Sequence, residues 1–166
     1  MKKTTSQAGI DAIKRHEGFS VLPYKDVIGL WTVGYGHLLT VDDRKNRMYF
    51  KDEKPVAISE EHAEELLKQD LKDAENAVNG LVKISLEQYE FDALVSFVFN
   101  LGATRFKKST LLKLLNKNAD RQIVAREFPR WKYAGARIFN GLLKRRREEA
   151  AMFLNQPTFT FSEFVA

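Results

Sequence analysis

Hydrophobic and polar positions along this chain follow two periods, and the first change between them comes early. Over residues 6–16 the apolar positions Ile10, Ala12 and Ile13 fit one face of a short helix, which Gly18 terminates. In Leu30–Leu38, Trp31, Val33 and Tyr35 alternate with Thr32, Gly34 and Gly36, which is a strand pattern. Val27–Leu30, with Gly29, suits the turn before it. Residues 41–58 are charged and irregular and predict a loop with a short strand. Helical spacing then returns. Ser59 reads as an N-cap with Glu60 and Glu61 on the first turn. Ala63, Leu66, Leu67, Leu71, Ala74, Ala77, Val78 and Leu81 keep one face, so a single helix of about 30 Å is expected over 59–81.

Ser85 with Gln88 reads as a capping box for the next helix. From Phe91 to Leu101 nearly every side is apolar, the mark of a buried helix, ended by Gly102. Three more helices are expected at about 109–116, at about 120–128 with Asp120 as cap and Pro129 as stop, and at about 141–154. The tail PTFTFSEFVA is apolar enough to dock. The fold class expected is α+β, mostly helical, in one domain over 1–166. A β-containing lobe covers about 14–60, a connecting helix 59–81, and a helical lobe 1–13 and 80–166.

Composition and charge narrow the function classes. With no cysteine, disulfides and thiolate zinc sites are excluded. MKKTTSQAGIDAI lacks the apolar core of a signal peptide, and no run approaches about 18 apolar residues, so synthesis in the cytoplasm without a stable membrane anchor is expected. No cofactor, metal site or phosphate loop is legible. The net charge of +5 is uneven: Lys83–Glu149 carries fifteen Lys/Arg against seven Asp/Glu, and the rest twelve against fifteen. That asymmetry suits either a solvated helical surface or an anionic polymer such as nucleic acid or a bacterial wall. The basic residues are scattered and no recognition motif appears, which counts against nucleic acid.

Candidate chemistry lies where the period changes. Glu17 ends the first helix, where the helix dipole disfavours a carboxylate; that environment suits a general acid. Asp26 lies at a strand end beside a turn, and Thr32 on the glycine side of the next strand. Each alone reads as an ordinary surface, turn or strand residue. Together they can place two carboxylates and a hydroxyl around one slot, with Gly34 and Gly36 leaving that face bare for a ligand. Two carboxylates flanking a sugar are what glycoside hydrolysis requires.

Glu17, Asp26 and Thr32, spaced E-x8-D-x5-T and followed by VGYGH, resemble the active-site signature of the phage-type lysozymes, the endolysin muramidases of glycoside hydrolase family 24. FDALVSFVFNLGATRFKKSTLL resembles the family's central helix, and EFPRWKYAGARIFNGLLKRRREEAAMFL its C-terminal helices. The resemblance implies a two-lobed lysozyme-like fold. It implies hydrolysis of the β-1,4 bond between N-acetylmuramic acid and N-acetylglucosamine in peptidoglycan. Glu17 would be the acid, and Asp26 and Thr32 would hold the water. Product configuration would be inverted.

Further roles follow from the same resemblance. His37 pairs with Asp70 as a structural ion pair rather than acting as a base; His16 and His62 are read as surface residues. Phe99 and Asn100 match cleft-lining positions, Phe99 being equally a core residue, and Leu38 is expected to line the cleft beside the glycines. Ser109, Thr110, Trp131 and Arg137 are candidates to touch glycan or peptide stem, with Trp131 equally a core residue. An arginine in KRRR pairs with Glu17, and Arg145 and Arg146 both fit. A monomer released to the wall through a holin-type membrane lesion is expected. The competing readings are a glycan-binding module that does not cut and a basic helical protein that binds nucleic acid.

Overall fold

The computed structural model describes residues 2–158. Within them the chain forms two compact units, one being Asp11–Lys72 and the other everything from Asp73 onward together with the segment up to Ile10. The tail PTFTFSEFVA, expected to dock, lies from residue 159 onward outside the described residues.

The Asp11–Lys72 unit takes in most of α1 (Gln7–Glu17), which ends where Gly18 adopts φ +74°. Three strands follow, β1 (Ser20–Lys25), β2 (Trp31–Gly34) and β3 (His37–Leu38), in an antiparallel sheet of that order. A second hairpin joins β4 (Phe50–Lys51) and β5 (Lys54–Pro55). Helix α2 (Glu60–Asp70) closes the unit, with the Ser59 hydroxyl accepting the His62 N–H. Val33, Ile13, Ala63 and Leu67 form its buried centre.

The other unit is helical: α3 (Lys72–Leu81), α4 (Gln88–Leu101), α5 (Ala103–Lys108), α6 (Thr110–Asn116), α7 (Arg121–Ala125) and α8 (Asn140–Phe153), with a short hairpin of β6 (Tyr133–Ala134) and β7 (Arg137–Ile138). Every residue of α4 from Phe91 to Val98 is buried: nearly every side is apolar, and its buried Asp92 and Ser96 are hydrogen-bonded to Ser6 and Glu149. Phe97 meets the edges of Phe106, Phe128 and Trp131 at 6.2, 5.3 and 5.8 Å. Burying each large side chain contributes about 1.5–3 kcal/mol. The N-terminal segment is tied down by polar contacts: the Thr5 N–H and hydroxyl both donate to Glu75, and Ser6 donates to Asp92.

Several expectations are corrected. The helix expected over 59–81 is interrupted at Leu71, whose ψ of −17° tightens the backbone although its N–H still bonds Leu67 C=O. The apolar spacing runs through the interruption because Leu67, Leu71, Ala74 and Val78 are buried all the same. The capping box of α4 is Glu87 with Glu90, not Ser85 with Gln88. Glu87 and Glu90 occupy the N-cap and N3 positions, and Ser85 lies two residues before the cap. The stretch read as one strand over Leu30–Leu38 reverses at Gly34–Gly36, where φ is +63° and +90°, so Val33 pairs with His37 and Thr32 with Leu38. Pro129 sits inside a 3-10 turn over Phe128–Arg130 rather than stopping a helix at 128. Helix α5 and the β6–β7 hairpin carried no legible signal of their own.

Candidate active site

Glu17 is half-buried at the last residue of α1. Its carboxyl faces the β2–β3 turn: a β-carbon added at Gly36 would lie 3.9 Å from Glu17 Oε2. Asp26 follows the last residue of β1 and builds the β1–β2 turn. Its Oδ1 accepts the N–H groups of Ile28 at 3.0 Å and Leu30 at 2.8 Å. The Asp26 N–H donates to Leu30 C=O at 2.9 Å, and Gly29, with φ +83°, donates its N–H to Asp26 C=O at 2.9 Å. Aspartate is suited to this turn because its short carboxylate reaches backbone two residues on. Both bonds fall on Oδ1, so Oδ2 is the oxygen available to a ligand or water.

Thr32 is buried in β2 opposite Tyr24, and its hydroxyl donates to Leu30 C=O at 3.3 Å. Since Asp26 faces Leu30 and Tyr24 faces Thr32, the alternation of side chains sets Asp26 and Thr32 on one face of the ladder as diagonal neighbours. Such neighbours have Cβ atoms about 7–8 Å apart. The fold therefore brings the Asp26 carboxylate and the Thr32 hydroxyl to one face.

Gly34 serves a different end from the one expected. A β-carbon there would meet the Ala63 β-carbon at 2.9 Å, so this glycine lets β2 lie against α2 rather than leaving room for a ligand. Beyond the turn, His37 Nδ1 lies 2.9 and 3.0 Å from the two Asp70 oxygens. The hydrogen bond to Asp70 raises the His37 pKa above the ordinary imidazole value, against the opposing pull of burial. Leu38, next to it, is exposed. His62 is half-buried, with its ring on Tyr49 and its Nε2 3.0 Å from the Tyr49 hydroxyl, and so is not a free surface residue.

The remaining candidates lie in the other unit. Phe99 is half-buried and Asn100 exposed near the end of α4. Thr110 is exposed at the first position of α6, and Arg137 is exposed in β7. Ser109 departs from its expected part. Its buried hydroxyl donates to Phe106 C=O at 2.7 Å and accepts the Leu112 N–H at 3.1 Å, so it is committed to capping α6. Trp131 is half-buried and sets its ring edge-on against Phe97 at 5.8 Å.

Arg145 and Arg146 are both buried and both engage Glu149, a residue sequence reading overlooked. Glu149 Oε1 accepts from Ser96 Oγ at 2.7 Å, Arg146 Nη2 at 2.8 Å and Arg145 Nε at 3.2 Å. Arg146 also lies over the Phe97 ring at 5.2 Å. Burial raises the Glu149 pKa and lowers that of Arg146, while each charge opposes the other's shift. The three- and four-residue spacing of Arg146 and Arg145 to Glu149 was the available signal. No group of three or more His, Cys, Asp or Glu is placed to hold a metal ion among the described residues.

Residues 14–149 match the family model described as phage lysozyme. The chain is 42% identical over 152 residues to an endolysin of Bacillus phage B103, covering 90% of this chain and 53% of that protein. It is 40% identical over 151 residues to an endolysin of Salmonella phage P22, covering 90% and 97%. The chain thus spans about half the length of the Bacillus phage relative and nearly all of the Salmonella phage one. Among solved structures, a P22 lysozyme matches with a TM-score of 0.76 at 37% identity, covering 92% of this chain and 99% of that one. The muramidase domain of SpmX from Asticaccaulis excentricus matches with a TM-score of 0.77 at 32% identity, covering 91% and 97%. With a match that runs over most of its length and takes in Glu17, Asp26 and Thr32, the chain belongs to the phage lysozyme family.

Proposed function

We propose that the chain is an endolysin muramidase that hydrolyses the β-1,4 bond between N-acetylmuramic acid and N-acetylglucosamine in bacterial peptidoglycan. Glu17 protonates the leaving oxygen as general acid. Asp26 and Thr32 orient a water for attack on the opposite face of the sugar, so configuration inverts. The observation that carries this reading is the construction of the Asp26 turn. Two N–H bonds hold one carboxylate oxygen, the other is available, and Thr32 shares its face. A carboxylate fixed in this way suits a base that positions water. Inverting enzymes need about 6.5–9.5 Å between their carboxyls, against about 5–5.5 Å for retention. Leu38, Phe99, Asn100, Thr110 and Arg137 are the positions we assign to glycan and peptide-stem contacts.

Glu17, Asp26 and Thr32 all fall within Asp11–Lys72 of one chain, which supports a monomer as the working form. Release from the host cytoplasm through a holin-type lesion, before action on the wall, rests on the family resemblance. Among the described residues no helix is long and apolar enough to cross a membrane.

Glu17→Gln is expected to fold normally and to lose about 10²–10⁴-fold in turnover, the usual contribution of general acid–base catalysis. Clearing of chloroform-treated Gram-negative cells measures it. More than about a tenth of wild-type turnover, with an unchanged circular dichroism spectrum, would reject Glu17 as the acid. Proton NMR of a fresh digest decides the stereochemistry: an α-anomer first supports Asp26 as a water-positioning base, and a β-anomer makes it a nucleophile.

A further inference from the structure

The turn that faces Glu17 is anchored at three points on α2, and one of those anchors also reaches α1. At its centre, Gly34 packs on Ala63. On one side His37 reaches Asp70, the last residue of α2. On the other side Tyr35, buried between two glycines, donates its hydroxyl to Glu60 Oε1 at 2.7 Å, at the first residue of α2. Glu60 Oε1 in turn holds Lys14 Nζ at 3.0 Å, and Glu64 Oε2 holds the same ammonium at 3.0 Å. Lys14 lies over the Tyr35 ring at 5.1 Å and precedes Glu17 by three residues, one helical turn.

This arrangement is more than packing requires. Tyr35 already has ring contact with Phe19 at 5.2 Å, and its hydroxyl need only meet water or one carbonyl to be satisfied. It meets instead a carboxylate shared with a lysine on the last turns of α1. The Lys14 pKa is raised by Glu64 and Glu60, and the Glu60 pKa is lowered by Tyr35 and Lys14, as expected of a network that favours the ionised carboxylate and ammonium.

We propose that Tyr35 is a positioning residue for the general acid: through Glu60 and Lys14 it locks the Gly34–His37 turn to the end of α1 and so fixes where the Glu17 carboxyl stands. The inference rests on Glu17 as the acid. A misplacement of about 1 Å can cost about 10²-fold in rate, so loosening this clamp acts on turnover before it acts on binding.

Tyr35→Phe removes the hydroxyl and keeps the ring. On soluble uncross-linked peptidoglycan chains, its kcat is expected to fall about tenfold with KM within about twofold of wild type. Glu60→Ala, at an exposed side chain, should reproduce the loss. Glu60→Gln, whose amide oxygen still accepts the Tyr35 bond, should restore most of the rate. Tyr49→Phe supplies the structural comparison, since Tyr49 is also buried in the same unit with its hydroxyl bonded to His62; its kcat should stay at the wild-type value. The clamp is rejected if Tyr35→Phe keeps kcat within about twofold of wild type, or if Tyr49→Phe loses as much. An inactive Glu17→Gln with a fully active Tyr35→Phe would remove the clamp alone, whereas an active Glu17→Gln would remove the assignment of the acid and the clamp with it.

Discussion

The two units of this chain are held together by different physics. In the unit from Asp73 onward, a helix buried on all sides meets aromatic neighbours, and its principal ion cluster is sealed inside, with Arg146 fully buried against Glu149. In the Asp11–Lys72 unit, strands are short, Val27 and Ile28 project into solvent, and order comes from polar anchors that reach partly exposed carboxylates, Tyr35 to Glu60 and His37 to Asp70. The lesson is a division of labour. Apolar burial supplies most of the stabilisation, while directional bonds fix the geometry around Glu17 and Asp26. Mutations in the first unit should cost stability, and those in the second should cost precision.

The largest stability effect is expected at Glu149. Glu149→Ala removes the buried carboxylate that Arg146 and Arg145 both engage, and breaking a buried ion pair from one side costs about 3–5 kcal/mol. Thermal denaturation should show a large fall in Tm. A loss below about 1 kcal/mol would mean that the cluster is open to water and that the contrast between the units is overstated.

Gly34→Ala tests the tightest contact in the smaller unit. The added methyl meets Ala63 at 2.9 Å on a backbone with φ +63°, and such strain costs about 1–3 kcal/mol. Chemical denaturation measures it. A neutral result would show that β2 and α2 can separate freely.

Two helix caps sharpen the comparison directly. Ser109 caps α6 from a buried position, and Ser59 caps α2 from an exposed one. Ser109→Ala should cost about 2 kcal/mol and Ser59→Ala about 0.5–1 kcal/mol, because water can replace a lost cap only at the surface. Equal losses in urea titrations would mean that cap burial does not matter here.

The smallest effect carries a pH signature. The folded His37 pKa is raised by Asp70, with the nearby Asp43 charge acting in the same direction. Its contribution is full below the unfolded value of about 6.5 and is lost as pH rises through the higher folded value. Asp70→Asn should therefore melt furthest below wild type at about pH 5.5, by about 1 kcal/mol, and approach it at alkaline pH. A deficit that is constant from about pH 5.5 to 9 would make the contact a neutral hydrogen bond.

Much of the local structure was legible before any fold was known. The end of α1 at Gly18, the caps at Ser59 and Asp120 and the buried face of Phe91–Val98 all depend on residues within about one turn of each other. The sequence by itself determined these features because a cap, a left-handed glycine and a helical period are short-range properties of the chain. The tertiary structure alone decided that Glu87 rather than Ser85 caps α4, that the backbone tightens at Leu71, and that Gly34 is needed for Ala63. It also decided which acceptor gathers Ser96, Arg145 and Arg146, and where the Tyr35 hydroxyl goes, 25 residues along the chain. These choices turn on desolvation and close approach between residues far apart in sequence, and a buried polar group takes the partner that the packing of other elements brings within reach.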